Sequence, residues 1–208
     1  ASLVNLIAQR KGKLLIPAFA VPPADESVYD LMRLLRDRRI PDLPVFVDSP
    51  LAVNVTGVFN RHPECFDEDI RAILRGPGDP FGLKRMHYLE SVEESMALNR
   101  APGPSIILSA SGMMEAGRVL HHLRNSIDDP RNGILIVGFQ AENTLGRRIL
   151  RGDQEVNIFG EPHVMKAEVF VMNEYSAHAD RDEILDWFRG LKGTPRDIFV
   201  VHGEEEQS

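Results

Sequence analysis

Two stretches near the carboxyl end, Glu174-Tyr-Ser-Ala-His-Ala-Asp180 and Val200-Val-His-Gly-Glu204, decide how the chain is read. Each follows or ends an apolar segment. Lys166-Ala-Glu-Val-Phe-Val-Met172 reads as one strand and Asp197-Ile-Phe-Val-Val201 as the next. His178 follows the first strand and His202 ends the second. Between them the pattern turns helical. Asp180 is placed to cap the helix, and Glu183 three positions on completes a capping box. Ile184, Phe188 and Leu191 then recur at i, i+4, i+7 and predict a buried stripe. A strand–helix–strand unit of this kind is parallel and right-handed. It brings both histidines to the carboxyl ends of neighbouring strands, where open α/β sheets build their sites.

Working upstream, apolar runs alternate with helical patterns. Strands are expected at 13–19, 43–47, 105–109, 133–137 and 156–159, with a hairpin turn at Gly160-Glu-Pro162. Val28, Leu31, Met32 and Leu35 predict a helix over about 25–38. Asp48-Ser-Pro-Leu51 reads as a polar cap followed by proline at the first helical position, striped by Leu51, Val55, Val58 and Phe59, with substrate contact the lesser reading of Asp48 and Ser49. Further helices are expected at 66–74, 83–98 and about 143–150, and one of about 14 residues from Met113. The fold class is therefore α/β, a mainly parallel sheet with helices on both faces.

The chain has 208 residues, 43% of them hydrophobic and 26% charged, which suits a globular body with a substantial core. No apolar run approaches the ~20 residues that cross a bilayer. The single cysteine, Cys65, excludes an internal disulfide framework and points to a cytoplasmic protein. The net charge of −7 argues against capture of nucleic acid by bulk charge, but it leaves a local groove open. Residues 1–10 read as the back half of a helix with Gly12 at its C′ position, and the other end stops just after His202, so the chain reads as part of a longer protein.

Ser109-Ala-Ser-Gly-Met-Met-Glu-Ala-Gly-Arg118 is a strand, a turn of small residues and the start of a helix. Backbone N–H groups at such a turn suit a phosphate, although any tight loop after a strand also favours Ser and Gly. It is neither a Walker loop nor a dinucleotide fingerprint. His121 and His122 follow on the helix. Adjacent helical residues diverge by about 100°, so the two rings cannot face one ligand. A histidine offers a proton near neutral pH or a nitrogen for a metal. His178 and His202 together supply too few ligands for a catalytic zinc, which takes three from the protein.

Taken in order, Lys13-Leu-Leu-Ile-Pro-Ala-Phe-Ala20, Val45-Phe-Val-Asp-Ser-Pro-Leu-Ala52, Ser109–Leu123, Asp129-Pro-Arg-Asn132, Gly138-Phe-Gln with Gly146, Ser176-Ala-His-Ala-Asp180 and Val201-His-Gly-Glu204 resemble the β-CASP branch of the metallo-β-lactamase superfamily, a group of nucleic-acid hydrolases. The resemblance implies a β-CASP domain over residues 1–150, and over 151–208 a return into the metallo-β-lactamase fold whose other half lies upstream. It implies hydrolysis of RNA phosphodiester bonds assisted by two zinc ions in the whole protein. In this pattern His178 assists proton transfer, with Asp180 able to orient it, and His202 is a zinc ligand. Ser111, Gly112, Arg118, His121, His122 and Ser176 face the substrate. The expected partners are RNA, the missing metallo-β-lactamase half and at most a second copy, with no membrane. The family's His-x-His-x-Asp-His signature is absent, so this piece is expected neither to retain zinc nor to cut RNA. Pro22-Pro23 stand where the family usually has Gly-Arg, which removes a flexible turn and a cation. A non-catalytic RNA-binding subunit of the same family is the alternative reading.

Overall fold

A computed structural model describes residues 1–18, 23–59, 61–66, 68, 71, 86–172, 179–199 and 201. The chain divides into two compact units, Ala1–Ser176 and Ala177–Ser208.

The first unit is built on a six-stranded, wholly parallel sheet. Its strands are β1 (Lys13–Pro17), β2 (Val45–Asp48), β3 (His87–Tyr88), β4 (Ser105–Ser109), β5 (Gly133–Ile136) and β8 (Glu168–Val171), in the order β3-β2-β4-β1-β5-β8. Consecutive side chains point to opposite faces, and both faces are covered. Leu14, Ile16, Ile106, Leu108 and Leu135 pack under α1 (Ser2–Gln9) and α2 (Pro23–Arg36) through Val4, Ile7, Leu31 and Leu35. Leu15, Ile107, Ile134 and Ile136 pack on the other side. There they meet α4 (Val92–Arg100), α5 (Arg118–Arg124), α6 (Leu145–Arg151) and the hairpin of β6 (Glu155–Ile158) and β7 (Glu161–Val164). Burying each such aliphatic side chain contributes about 1.5–3 kcal/mol. The central strands therefore read as unbroken apolar runs.

The strand order fixes where a site can form. From β1 the chain crosses to β2 on one side of the sheet. From β4, the neighbour of β1, it crosses to β5 on the other. The connections part at the carboxyl ends of β1 and β4, and that crevice is where open α/β sheets bind ligands.

Four local expectations need correction. First, residues 86–91 are not helical. His87–Tyr88 pairs with Phe46–Val47, and α4 starts only after Ser91, whose hydroxyl accepts the Glu94 N–H while Glu94 reaches back to the Ser91 N–H. Ser91-Val-Glu-Glu94 is a capping box, and it overrides the helical spacing of Met86, Leu89, Val92 and Met96. Second, the helix after β4 is seven residues long and begins at Arg118, so Ser111–Gly117 is a folded loop. Third, α3 (Pro50–Phe59) starts as expected, with the Ser49 hydroxyl accepting the Ala52 N–H at 3.3 Å, but the expected stripe does not face the core. The helix turns Ala52 to the core while Leu51 and Val58 are exposed. Fourth, α1 ends in a Schellman motif with Lys11, not Gly12, at the left-handed position (φ 56°). The Lys11 N–H donates to Ala8 O and the Gly12 N–H to Ile7 O. Lys11 is exposed, and a non-glycine residue in this region carries a steric cost that glycine escapes. Lys11→Gly is therefore expected to stabilise the fold by about 0.5 kcal/mol after the unfolded-state entropy of glycine is subtracted; thermal denaturation checks it.

In the second unit α7 (Arg181–Arg189) starts as expected. Asp180 accepts the N–H groups of Asp182 and Glu183, both at 2.9 Å, and Glu183 accepts the Asp180 N–H. The expected stripe of Ile184, Phe188 and Leu191 is not buried: Ile184 and Leu191 are exposed and Phe188 is half-buried. No strand forms at 197–199 or at 201. Ile198, Phe199 and Val201 are exposed, and a strand without a hydrogen-bonded neighbour has nothing to hold it extended. The expected strand–helix–strand unit is thus not present among the described residues.

Candidate functional site

Asp48 ends β2 at the carboxyl edge of the sheet, in register with Ser109 at the end of β4. Its side chain is fully buried. One carboxylate oxygen accepts from the Arg118 guanidinium at 2.5 Å. The other accepts from the Ser95 hydroxyl at 2.5 Å and lies 2.7 Å from Nε2 of His122. The Ser109 hydroxyl donates to the Asp48 main-chain oxygen at 3.1 Å. Arg118 also donates to the carbonyls of Leu89 at 3.3 Å and Glu90 at 2.8 Å, and Nδ1 of His122 lies 2.7 Å from Oδ1 of Asn99. The carboxylate thus ties β2 to α4 and α5, while the Asp48 main-chain oxygen adds β4 and Arg118 adds the segment leading into α4. Burial alone would raise the Asp48 pKa. The hydrogen bonds from His122, Ser95 and Arg118, with the charge on His122, outweigh it and hold the group below its ordinary value. The expected role of Asp48 as a helix cap is corrected: Ser49 caps, and Asp48 is a buried ionic centre.

Beside this centre the Ser111–Gly117 loop lies at the switch point. It folds back on itself: the Ser111 N–H donates to Ala116 O, the Met114 N–H to Ser111 O, and the Glu115 N–H to the Ser111 hydroxyl. Met114, with φ 59°, is wholly buried. Gly117 (φ 85°) brings the chain close against Ala110, where a Cβ would stand 2.7 Å from the carbonyl oxygen.

The residues expected to face substrate fall into distinct places. Ser111 is half-buried and Gly112 buried in the loop. The two histidines diverge as helical geometry requires. His122 is enclosed, and His121 is exposed with its ring 4.7 Å from that of Phe159. Arg118 is 18% exposed and engaged by Asp48 and two carbonyls. Ser176, His178 and His202 lie outside the described residues. Ser95, Asn99 and Gln140 were not foreseen. Ser95 and Asn99 stand i, i+4 on one face of α4 beside the buried Leu98, a polar pair that marks an inward face.

Among the described residues no three His, Cys, Asp or Glu side chains converge to hold a metal ion. These residues alone do not fit a zinc centre. No described helix is long and apolar enough to cross a membrane.

A doubly wound α/β domain with a braced loop at its switch point is the class that the geometry defines. Comparison with known sequences makes it specific. Residues 24–149 match the profile of the Beta-Casp domain, and residues 162–208 match that of the Zn-dependent metallo-hydrolase RNA specificity domain. The chain belongs to the β-CASP family. It is 41% identical over 196 residues to Ribonuclease TTHA0252 of Thermus thermophilus, which covers 94% of this chain and 44% of that protein. It is 33% identical over 210 residues to Transcription termination factor FttA of Methanosarcina mazei, covering 98% of this chain and 33% of that one. An RNase J-like protein of Methanocaldococcus jannaschii is 31% identical over 197 residues, covering 95% and 44%. The chain thus spans less than half the length of these relatives.

Proposed function

We propose that this chain is the substrate-facing part of a zinc-dependent enzyme that hydrolyses RNA phosphodiester bonds. The observation that carries the reading is the Ser111–Gly117 loop at the switch point of the sheet, in a chain 41% identical to a ribonuclease. In this reading Ser111, Gly112, His121 and Ser176 meet the phosphate backbone. His178 protonates the leaving oxygen, a task for which an imidazole is suited near neutral pH. His202 supplies one imidazole toward a zinc ion, and the remaining donors come from outside residues 1–208. Residues 1–150 form the β-CASP domain of the whole protein, and 151–208 return into the metallo-β-lactamase domain. A second reading keeps the same family but makes the parent a non-catalytic RNA-binding subunit; relatives named transcription termination factors show that ribonuclease is not the one name its similar proteins carry.

Labelled single-stranded RNA and calorimetric zinc titration test both. The chain alone is expected to bind the RNA at low salt, with affinity falling as salt rises. It is expected to take up zinc weakly and to leave the RNA intact. Metal-dependent cleavage by the isolated chain would overturn its status as half a site. Absence of RNA binding at low salt would overturn its substrate-facing role.

A further inference from the structure

The loop at the switch point is held from both sides, and the residues that hold it are not those that remain to meet a ligand. On the β2 side Arg118 is tied to Asp48 and to the carbonyls of Leu89 and Glu90. On the β5 side stands Gln140, 2% exposed. Its amide N–H group donates to Gly112 O and to Gly138 O, both at 3.1 Å, and so bridges the loops that follow β4 and β5. The oxygen of the same amide lies against Gly146, where an added Cβ would stand 1.7 Å from it. The Gly146 N–H donates to Met113 O at 3.1 Å, and the Leu145 N–H to the Glu115 carboxylate at 2.5 Å. Three attachments, at Gly112, Met113 and Glu115, therefore fasten the loop to the β5–α6 connection and the first turn of α6.

We infer that Gln140 and Arg118 are positioning residues: they fix the Ser111–Gly117 loop in the shape that meets RNA, and neither touches a phosphate. Arg118 in particular does not act as the phosphate cation of its motif. Three of its five N–H donors are engaged, by a carboxylate and two carbonyls, and its charge is matched by a buried anion. Gly146 is glycine because the Gln140 amide occupies the place of its side chain. The RNA half of this inference rests on the function proposed above; the structural half stands without it.

Amide exchange tests the structural half. Gln140→Met keeps the length of the side chain and removes its donor. Losing one such bond is worth about 1 kcal/mol, so the Ser111, Met114 and Gly146 amides should exchange about five- to tenfold faster. The amides of Leu15, Ile107 and Ile134 in the central strands should keep their wild-type rates. Unchanged exchange in the loop, or equal acceleration throughout the sheet, overturns the assignment of Gln140. RNA binding tests the other half, with Arg118→Gln and Arg118→Lys measured against salt. A positioning arginine needs its fork, so lysine should not rescue it. Both variants should bind RNA more weakly with the wild-type salt slope. Rescue by lysine, or a slope reduced by about 0.7 in Arg118→Gln, would make Arg118 a phosphate contact. If the wild-type chain binds no RNA, the proposed function falls, while the exchange result still decides whether Gln140 positions the loop.

Discussion

Replacing Asp48 by alanine is expected to destabilise the first unit by about 3–5 kcal/mol, measured by urea denaturation at neutral pH. The size follows from what the substitution leaves behind. Arg118 and the enclosed ring of His122 lose the carboxylate that both face, and the Ser95 hydroxyl loses its acceptor. A buried charge without its partner is far more costly than the pair itself is stabilising. The ion pair between Arg10 and Glu168 has the same 2.5 Å separation, but its side chains are 34% and 46% exposed. Water and salt screen it, and Glu168→Gln should cost at most about 1 kcal/mol. Distance alone therefore does not rank the two pairs; burial does. The pH dependence has a definite sign. The folded-state pKa of Asp48 lies below the ordinary value of 3.8. Its contribution is present in full above that value and is lost as pH falls through the lowered one. The gap between wild type and Asp48→Ala should therefore narrow in acid, and a gap that widens there would refute an ionised Asp48 in the fold.

Much of the fold was legible because buried parallel strands are conspicuous. β1, β4 and β5 are runs of Leu and Ile flanked by loops and helical patterns, and the structure pairs all three side by side. Asp180 and Glu183 gave the start of α7, because a capping box is local chemistry. β3 was hidden for the opposite reason. It is two residues long, its pairing with β2 is non-local, and Met86 and Leu89 on either side mimic a helix. The exposed Ile184 and Leu191, and the absence of a strand at 197–199 and 201, show that an amphipathic pattern names a face without naming what covers it. Asp48 was misread because a polar residue before Ser-Pro satisfies the cap signature. Its actual partners, Ser95, Arg118 and His122, lie 47, 70 and 74 residues away. No spacing rule reaches that far. The same distance conceals why Arg118 stands in its motif, since the motif shows a cation beside a turn but not the carboxylate that engages it.

Gly12→Ala should be as informative about the sheet as Asp48→Ala is about the site, with an expected loss of about 3 kcal/mol. For a domain of this size that is a fall of roughly 6–12 °C in melting temperature. A Cβ at this position would stand 1.9 Å from the carbonyl oxygen of Arg131 and 2.5 Å from its carbon. Both are backbone atoms, so no side chain can swing aside. Nor can the opposing segment retreat cheaply. Asn132 accepts the Lys13 N–H at 2.7 Å and donates to Ser126 O at 2.9 Å, and its own carbonyl accepts the Glu168 N–H at 3.1 Å. Those three bonds align β1, β5 and β8 at their amino ends, so yielding to a methyl group at residue 12 would disturb the register of three strands. Lys11→Gly, one residue earlier, should change stability in the opposite direction. The strain at Lys11 lies in its own backbone angle, whereas at Gly12 the constraint is the space left by a neighbouring loop. If Gly12→Ala proves neutral while Lys11→Gly stabilises, the left-handed angle at residue 11 stands and the close approach of the Arg131 carbonyl to Gly12 is refuted. If both are neutral, the Schellman geometry itself is absent.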